Sequence, residues 1–212
     1  MYNGQSATPI PDNPKSDRGL SPLNVRHNLV VNGVYSFPSP VGSRFMSNAL
    51  GGWQLSSILT VSSGSPFTPL LNGRSAPNLS DSSGGKQRPD LVAGRSFSSI
   101  VLGGPDRYFD PSAFVLPPTG FYGNAGRDIL VGPGYASVDL SVFKSMHVPL
   151  GEAGRLEFRA DFFNLANRAN FAIPSGLQVI NASTGRPISS AGKITSTVGT
   201  SRQLQFGLKL SF

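Results

Sequence analysis

The 212 residues include no cysteine, which removes disulfides, thiolate metal ligands and a cysteine nucleophile together. Only two histidines occur, His27 and His147, and neither lies in a cluster with metal-ligand spacing, so no metal or cofactor site is expected. No stretch approaches the ~18 apolar residues of a membrane-crossing helix, a fact that says nothing about strands. Lysine and arginine never stand side by side, although the formal charge is +7 and the pI near 10.1. The charge is scattered over turns and does not build a nucleic-acid groove. The opening residues Met1, Tyr2, Asn3, Gly4, Gln5 and Ser6 lack the basic-then-apolar layout of an export signal.

What the chain does have is glycine (25) and proline (18), a turn-rich composition that favours β structure over helix. Its last residues, from Gln203 to Phe212, alternate without a break. Leu204, Phe206, Leu208, Leu210 and Phe212 fall on one side, and Gln203, Gln205, Gly207, Lys209 and Ser211 on the other. That length suits one tilted strand through a bilayer. A terminal aromatic on such a strand resembles the closing strand and assembly signal of bacterial outer-membrane barrels. Phe206, Leu208, Leu210 and Phe212 are the residues the barrel-assembly machinery would then read. The last strand of a soluble sandwich also alternates.

Four further segments alternate with period two: residues 27–37, 52–62, 135–148 and 154–165. The fourth is the most informative. Leu156, Phe158, Ala160 and Phe162 face away from Arg155, Glu157, Arg159 and Asp161. Together with Lys209, these charges are expected to line a wet lumen while the apolar set meets lipid. Aromatics near strand ends (Tyr35, Phe37, Trp53, Tyr135, Phe212) suit interfacial girdles.

Connection lengths alternate as well. Residues 64–134 and 167–202 are long; 38–51 and 149–153 are shorter. Barrels have short periplasmic turns and long outer loops, which puts the chain's end on the short-turn side. Within the first long loop, residues 106–111 and 129–131 are read as short extra strands or caps. Arg168, Arg186, Lys193 and Arg202, with no acid between 167 and 202, form a candidate outer basic patch for substrate or lipopolysaccharide phosphates. Ligand-free cover loops fit the same composition. Five strands cannot close a barrel, which needs about eight or more. A membrane reading therefore implies that most strands precede Met1, and the missing export signal has the same explanation.

Several segments in order carry a wider resemblance: Asp17-Arg18-Gly19, Arg26-His27, Gly51-Gly52-Trp53-Gln54-Leu55 and Ser63-Gly64-Ser65-Pro66-Phe67. They continue with Tyr108-Phe109-Asp110-Pro111-Ser112-Ala113-Phe114, Gly123-Asn124-Ala125-Gly126-Arg127 and Asp139-Leu140-Ser141-Val142-Phe143-Lys144. The last is Arg159-Ala160-Asp161-Phe162-Phe163-Asn164-Leu165-Ala166-Asn167-Arg168. With these the chain resembles the C-terminal barrel region of TonB-dependent outer-membrane receptors, in particular the Oar-like group whose members carry a carboxypeptidase-regulatory-like domain. The resemblance implies barrels of about twenty-two strands, plugged by an N-terminal domain and energised by the TonB complex. The plug, the TonB-binding segment and the remaining strands are not in this sequence.

Catalytic chemistry is not legible. Gly84-Gly85-Lys86 lacks the rest of a phosphate loop. Glu157 and Asp161 would lie about 13 Å apart on a strand, too far for a glycosidase pair. Asn78-Leu79-Ser80 and Asn181-Ala182-Ser183 match a glycosylation pattern without further support.

The expectation is therefore an all-β antiparallel meander of about five long strands, residues 1–212 forming part of one outer-membrane barrel domain. It would take up an unidentified substrate across the outer membrane of a Gram-negative bacterium. Its surroundings would be lipid and lipopolysaccharide, with TonB reached only through N-terminal parts, and no enzymatic role is expected. The rival is a secreted soluble β-sandwich that binds carbohydrate or protein; a β-rich hydrolase is disfavoured. The rivals differ in whether the apolar faces meet lipid or a second sheet.

Overall fold

The computed structural model describes residues 13–39, 43–73, 87–150 and 154–212. Among them are eleven strands: β1 (Asn28–Ser36), β2 (Trp53–Ser62), β3 (Pro66–Phe67), β4 (Leu70–Asn72), β5 (Asp90–Leu91), β6 (Phe114–Val115), β7 (Leu130–Val131), β8 (Tyr135–His147), β9 (Arg155–Phe163), β10 (Gln178–Asn181) and β11 (Gln203–Ser211). Two short helices, α1 (Arg44–Leu50) and α2 (Phe97–Ile100), complete the regular structure beside brief 3-10 turns. The chain divides into two compact units. A sheet unit comprises His27–Ser62, Tyr135–Asn170 and Gly199–Phe212; a loop unit comprises Met1–Arg26, Ser63–Gly134 and Phe171–Val198.

The sheet unit is a five-stranded antiparallel sheet in the order β1-β2-β8-β9-β11. Its strands coincide with the five alternating segments to within a residue or two at most ends. Each follows its sequence neighbour in the sheet, as expected for a meander. The ladders run without a register slip, so the period-two pattern of one strand is handed on to the next. Among the described residues β1 pairs only with β2 and β11 only with β9, and the sheet does not close.

One connection departs from expectation. Residues 38–51 read as a plain loop, yet they contain α1, capped by Ser43, whose hydroxyl accepts the Met46 amide at 3.3 Å. Gly52 then re-enters the sheet with φ +70, and a Cβ there would lie 2.2 Å from the Ser145 carbonyl. Only glycine meets both demands, which accounts for the glycine before Trp53.

The loop unit has three two-stranded ladders, β4 with β10, β3 with β7, and β5 with β6. β4 and β10 are parallel and come from different connections of the sheet. A single hydrophobic core binds them. Phe67, Leu70, Leu71, Ile100, Phe109, Phe114, Leu130, Leu177, Val179 and Ile180 are its larger members, and Phe109 sits 5.9 Å from Phe67 and 6.3 Å from Phe114. Of the short strands or caps expected near 106–111 and 129–131, the second is β7, while the first holds an isolated Val101–Phe109 bridge and the Asp110 cap of a 3-10 turn.

Candidate functional site: two faces of one sheet and a set of pinned loops

Cross-strand partners in an antiparallel ladder point to the same face, so the registers sort every side chain. Leu204, Phe206, Leu208 and Leu210 pair with Phe162, Ala160, Phe158 and Leu156; Leu140 and Val142 pair with Phe162 and Ala160. The same face continues through Leu55, Leu59 and Val61 to Tyr35, Val31 and Leu29. Its outermost members are open: Phe206 is 64% and Leu208 72% exposed, and Phe206 stacks on Phe158 at 6.4 Å. A monomeric soluble protein rarely leaves a patch of this kind uncovered.

The opposite face gathers the charges. Lys209 pairs with Glu157, its Nζ 3.8 Å from the carboxylate; Gly207 pairs with Arg159 and Ser211 with Arg155. Arg159 Nε lies 2.9 Å from an Asp161 oxygen, and the Ser141 hydroxyl donates to the same carboxylate. All five charges read from the sequence therefore share one face, concentrated on β9 and β11. Toward β1 and β2 that face is not polar throughout, since Val30, Val34 and Ile58 lie on it by register. Single exposed pairs of this type contribute about 0.2–1 kcal/mol, so the row shapes a surface more than it stabilises a fold.

The proposed basic patch is divided. Arg168 and Arg202 belong to the sheet unit, where the Asn164 side chain accepts the Arg168 amide and that of Asn167 accepts the Arg202 amide. Arg186 and Lys193 belong to the loop unit. All four are exposed.

Residues of the segments that carry the resemblance act as structural pins, a role that their spacing did not disclose. Asn164 and Asn167 both adopt φ 49, and Asn164 also donates to the Arg168 and Thr200 carbonyls while its amide reaches Asp139 at 2.8 Å. In the loop unit Asp110 caps a 3-10 turn and binds Arg95 and Arg107. Burial pushes its carboxyl up, but Ser112 through hydroxyl and amide, with Arg107, outweighs this and leaves it below its ordinary 3.8. The Arg88 guanidinium, which meets Asp17 at 2.9 Å, is lowered mainly by burial. Tyr108 donates to the Val131 carbonyl at 2.8 Å, and desolvation raises its phenol to about 12. Asn124 closes a reciprocal pair with Asp90 and the Leu91 amide, beside Gly123, where a Cβ would strike the Arg88 carbonyl at 2.1 Å. Thr68 and buried Asp128 bond to each other in the same reciprocal way.

Among the described residues no three His, Cys, Asp or Glu side chains are grouped to hold a metal. Asn181 accepts the Ser183 and Thr184 amides in a local turn. The segments 84–86 and 78–80 lie outside the described residues.

The family model of the outer membrane beta barrel domain matches residues 1–205. The chain belongs to that family. It is an all-β outer-membrane barrel domain with an incomplete barrel, located in the outer membrane of a Gram-negative bacterium. No curated protein and no solved structure matches it. Membership in the outer membrane beta barrel family sets the soluble sandwich aside, and the exposed apolar face agrees. Strands of this family satisfy every backbone group only by lateral pairing, so an unpaired edge in hydrocarbon costs several kcal/mol per orphaned group.

Proposed function

We propose that this domain is part of a TonB-dependent receptor of the Oar-like type, which binds a substrate and takes it up across the outer membrane. The observation that carries the reading is the segregation of the sheet, apolar side chains on one face and Arg155, Glu157, Arg159, Asp161 and Lys209 on the other. The apolar face meets lipid, and the charged one lines an aqueous lumen. The ordered sequence segments support the receptor subtype, and the folded loop unit supports an outer binding surface. Further strands complete the barrel beyond β1 and β11, with plug and TonB-binding segment contributed from outside these residues. Its role is binding and transport rather than catalysis.

Phe206, Leu208, Leu210 and Phe212 act as the assembly signal, and lipopolysaccharide phosphates or substrate meet Arg168, Arg186, Lys193 and Arg202. Deleting Phe212 from the full-length protein should reduce the heat-modifiable form in outer-membrane fractions; undiminished assembly refutes the signal. For the receptor subtype, the purified periplasmic domain of TonB should bind the intact receptor. Failure to bind removes TonB dependence while leaving the barrel family untouched.

A further inference from the structure

Lys144 is out of place by pattern. Its register partners are Trp53 and Phe158, which put it on the apolar face, where a lysine facing hydrocarbon is costly. Yet it is only 3% exposed. Its ammonium donates to the Asn48 carbonyl at 2.6 Å, to that of Ala49 at 3.1 Å and to that of Gly51. All three lie at the C-terminal end of α1, where the helix leaves carbonyls unsatisfied and presents partial negative charge. Trp53 Nε1 donates to the same Ala49 carbonyl at 3.1 Å, and its ring centroid is 5.1 Å from the ammonium. Two side chains of the apolar face thus hold the end of α1 against that face.

The helix shows an apolar stripe of its own. Met46, Ala49 and Leu50, three and four residues apart, share one side and are exposed. The level along the sheet is fixed as well. Trp53 opens β2, and Lys144 lies near the end of β8, at the end served by the two shorter connections. In a barrel that end faces the periplasm. A seven-residue helix still has N–H groups to satisfy, so the hydrocarbon core is closed to it and the hydrated headgroup zone is not.

We propose that α1 is an interfacial helix lying in the headgroup zone of the periplasmic leaflet. The Met46–Ala49–Leu50 stripe enters the glycerophospholipid boundary beside Trp53, and Lys144 fastens the helix C-terminus. The inference rests on the reading of the apolar face as lipid-facing. The carbonyls already use the lysine's three donors, so Lys144 is not available to anionic headgroups.

None of these 212 residues is a cysteine, so single labels can be placed in them in the full-length protein once any cysteine elsewhere in it has been replaced. Nitroxide labels are placed one at a time through Met46→Cys, Leu50→Cys, Leu208→Cys and Arg159→Cys in protein assembled into zwitterionic phospholipid vesicles. Accessibility to oxygen and to a water-soluble nickel chelate gives depth. The label at 208 should be deep, those at 46 and 50 shallow but shielded from nickel, and that at 159 accessible to it. A deep 208 with fully aqueous 46 and 50 overturns the interfacial helix alone; an aqueous 208 overturns the lipid-facing reading beneath it. Lys144→Met should free the helix end, moving the label at 50 toward water and Trp53 emission to the red. Unchanged signals there refute the fastening role, and the depths at 46 and 50 stand as a test even where this variant fails to assemble.

Discussion

The loop unit and the sheet unit use similar residues to opposite ends. Fourteen phenylalanines serve the chain, and those of the loop unit at 67, 109 and 114 are closed into a common core. Phe206 of the sheet touches both Phe158 and Phe162, which are half-buried, and is itself left exposed. Among the described residues, the buried apolar side chains other than Ala160 all lie in the loop unit. One unit derives its stability from itself, each buried large side chain contributing about 1.5–3 kcal/mol. The other has hydrogen-bonded ladders and, among its described residues, no large buried apolar side chain, so its apolar surface must be satisfied by its surroundings.

This contrast can be broken most forcefully at Phe109. Phe109→Ala should destabilise the loop unit by about 3–5 kcal/mol. Limited proteolysis should then cut within 87–134 while the sheet keeps its heat-modifiable mobility; loss of both together would show that the units do not differ in this way. Next in size is Leu208→Arg, which puts a charge on the apolar face near mid-strand and should cost assembly about 2–4 kcal/mol. In the same assay Arg159→Gln, on the other face, should be nearly silent. Equal effects would erase the distinction between faces.

The smallest effects concern pH and sharpen the picture of the loop unit. The Asp110 carboxyl lies below 3.8, so its contribution is present above that value and fades as pH falls through the lowered one. Tyr108 runs the other way. With its phenol raised from 10.0 to about 12, its contribution is intact below 10 and is lost as pH climbs toward 12. Protease resistance of the loop unit should therefore be level between these limits. Asp110→Asn should flatten the acid edge, and Tyr108→Phe the alkaline one at a cost of about 1 kcal/mol. Persistence of either edge in its variant refutes the assignment.

The sheet was legible because a strand with two different environments writes them in alternate letters. The 155–163 segment shows the pattern most plainly, and its partners in β8 and β11 repeat it in phase. The loop unit was hidden because its strands are two to four residues long, too short for any period, and its core is drawn from separated places such as Leu71, Ile100 and Leu130. α1 spans seven residues, and its stripe of three is shorter than a recognisable helical pattern. The segments that supported the resemblance were visible, but their chemistry was not. Asn164 binds a backbone amide and two carbonyls, Asp110 a backbone amide and two arginines, and polar residues with such duties look like site residues until their partners are known.

The parallel pairing of β4 with β10 has a consequence for biogenesis. Ile180 lies beside Leu71, and between them in the sequence stand β8 and β9. The loop core therefore cannot close until both intervening strands, and β10 after them, have been synthesised. Closure of this long-range contact is therefore a late step, and a chain halted before β10 lacks one side of the β4–β10 ladder.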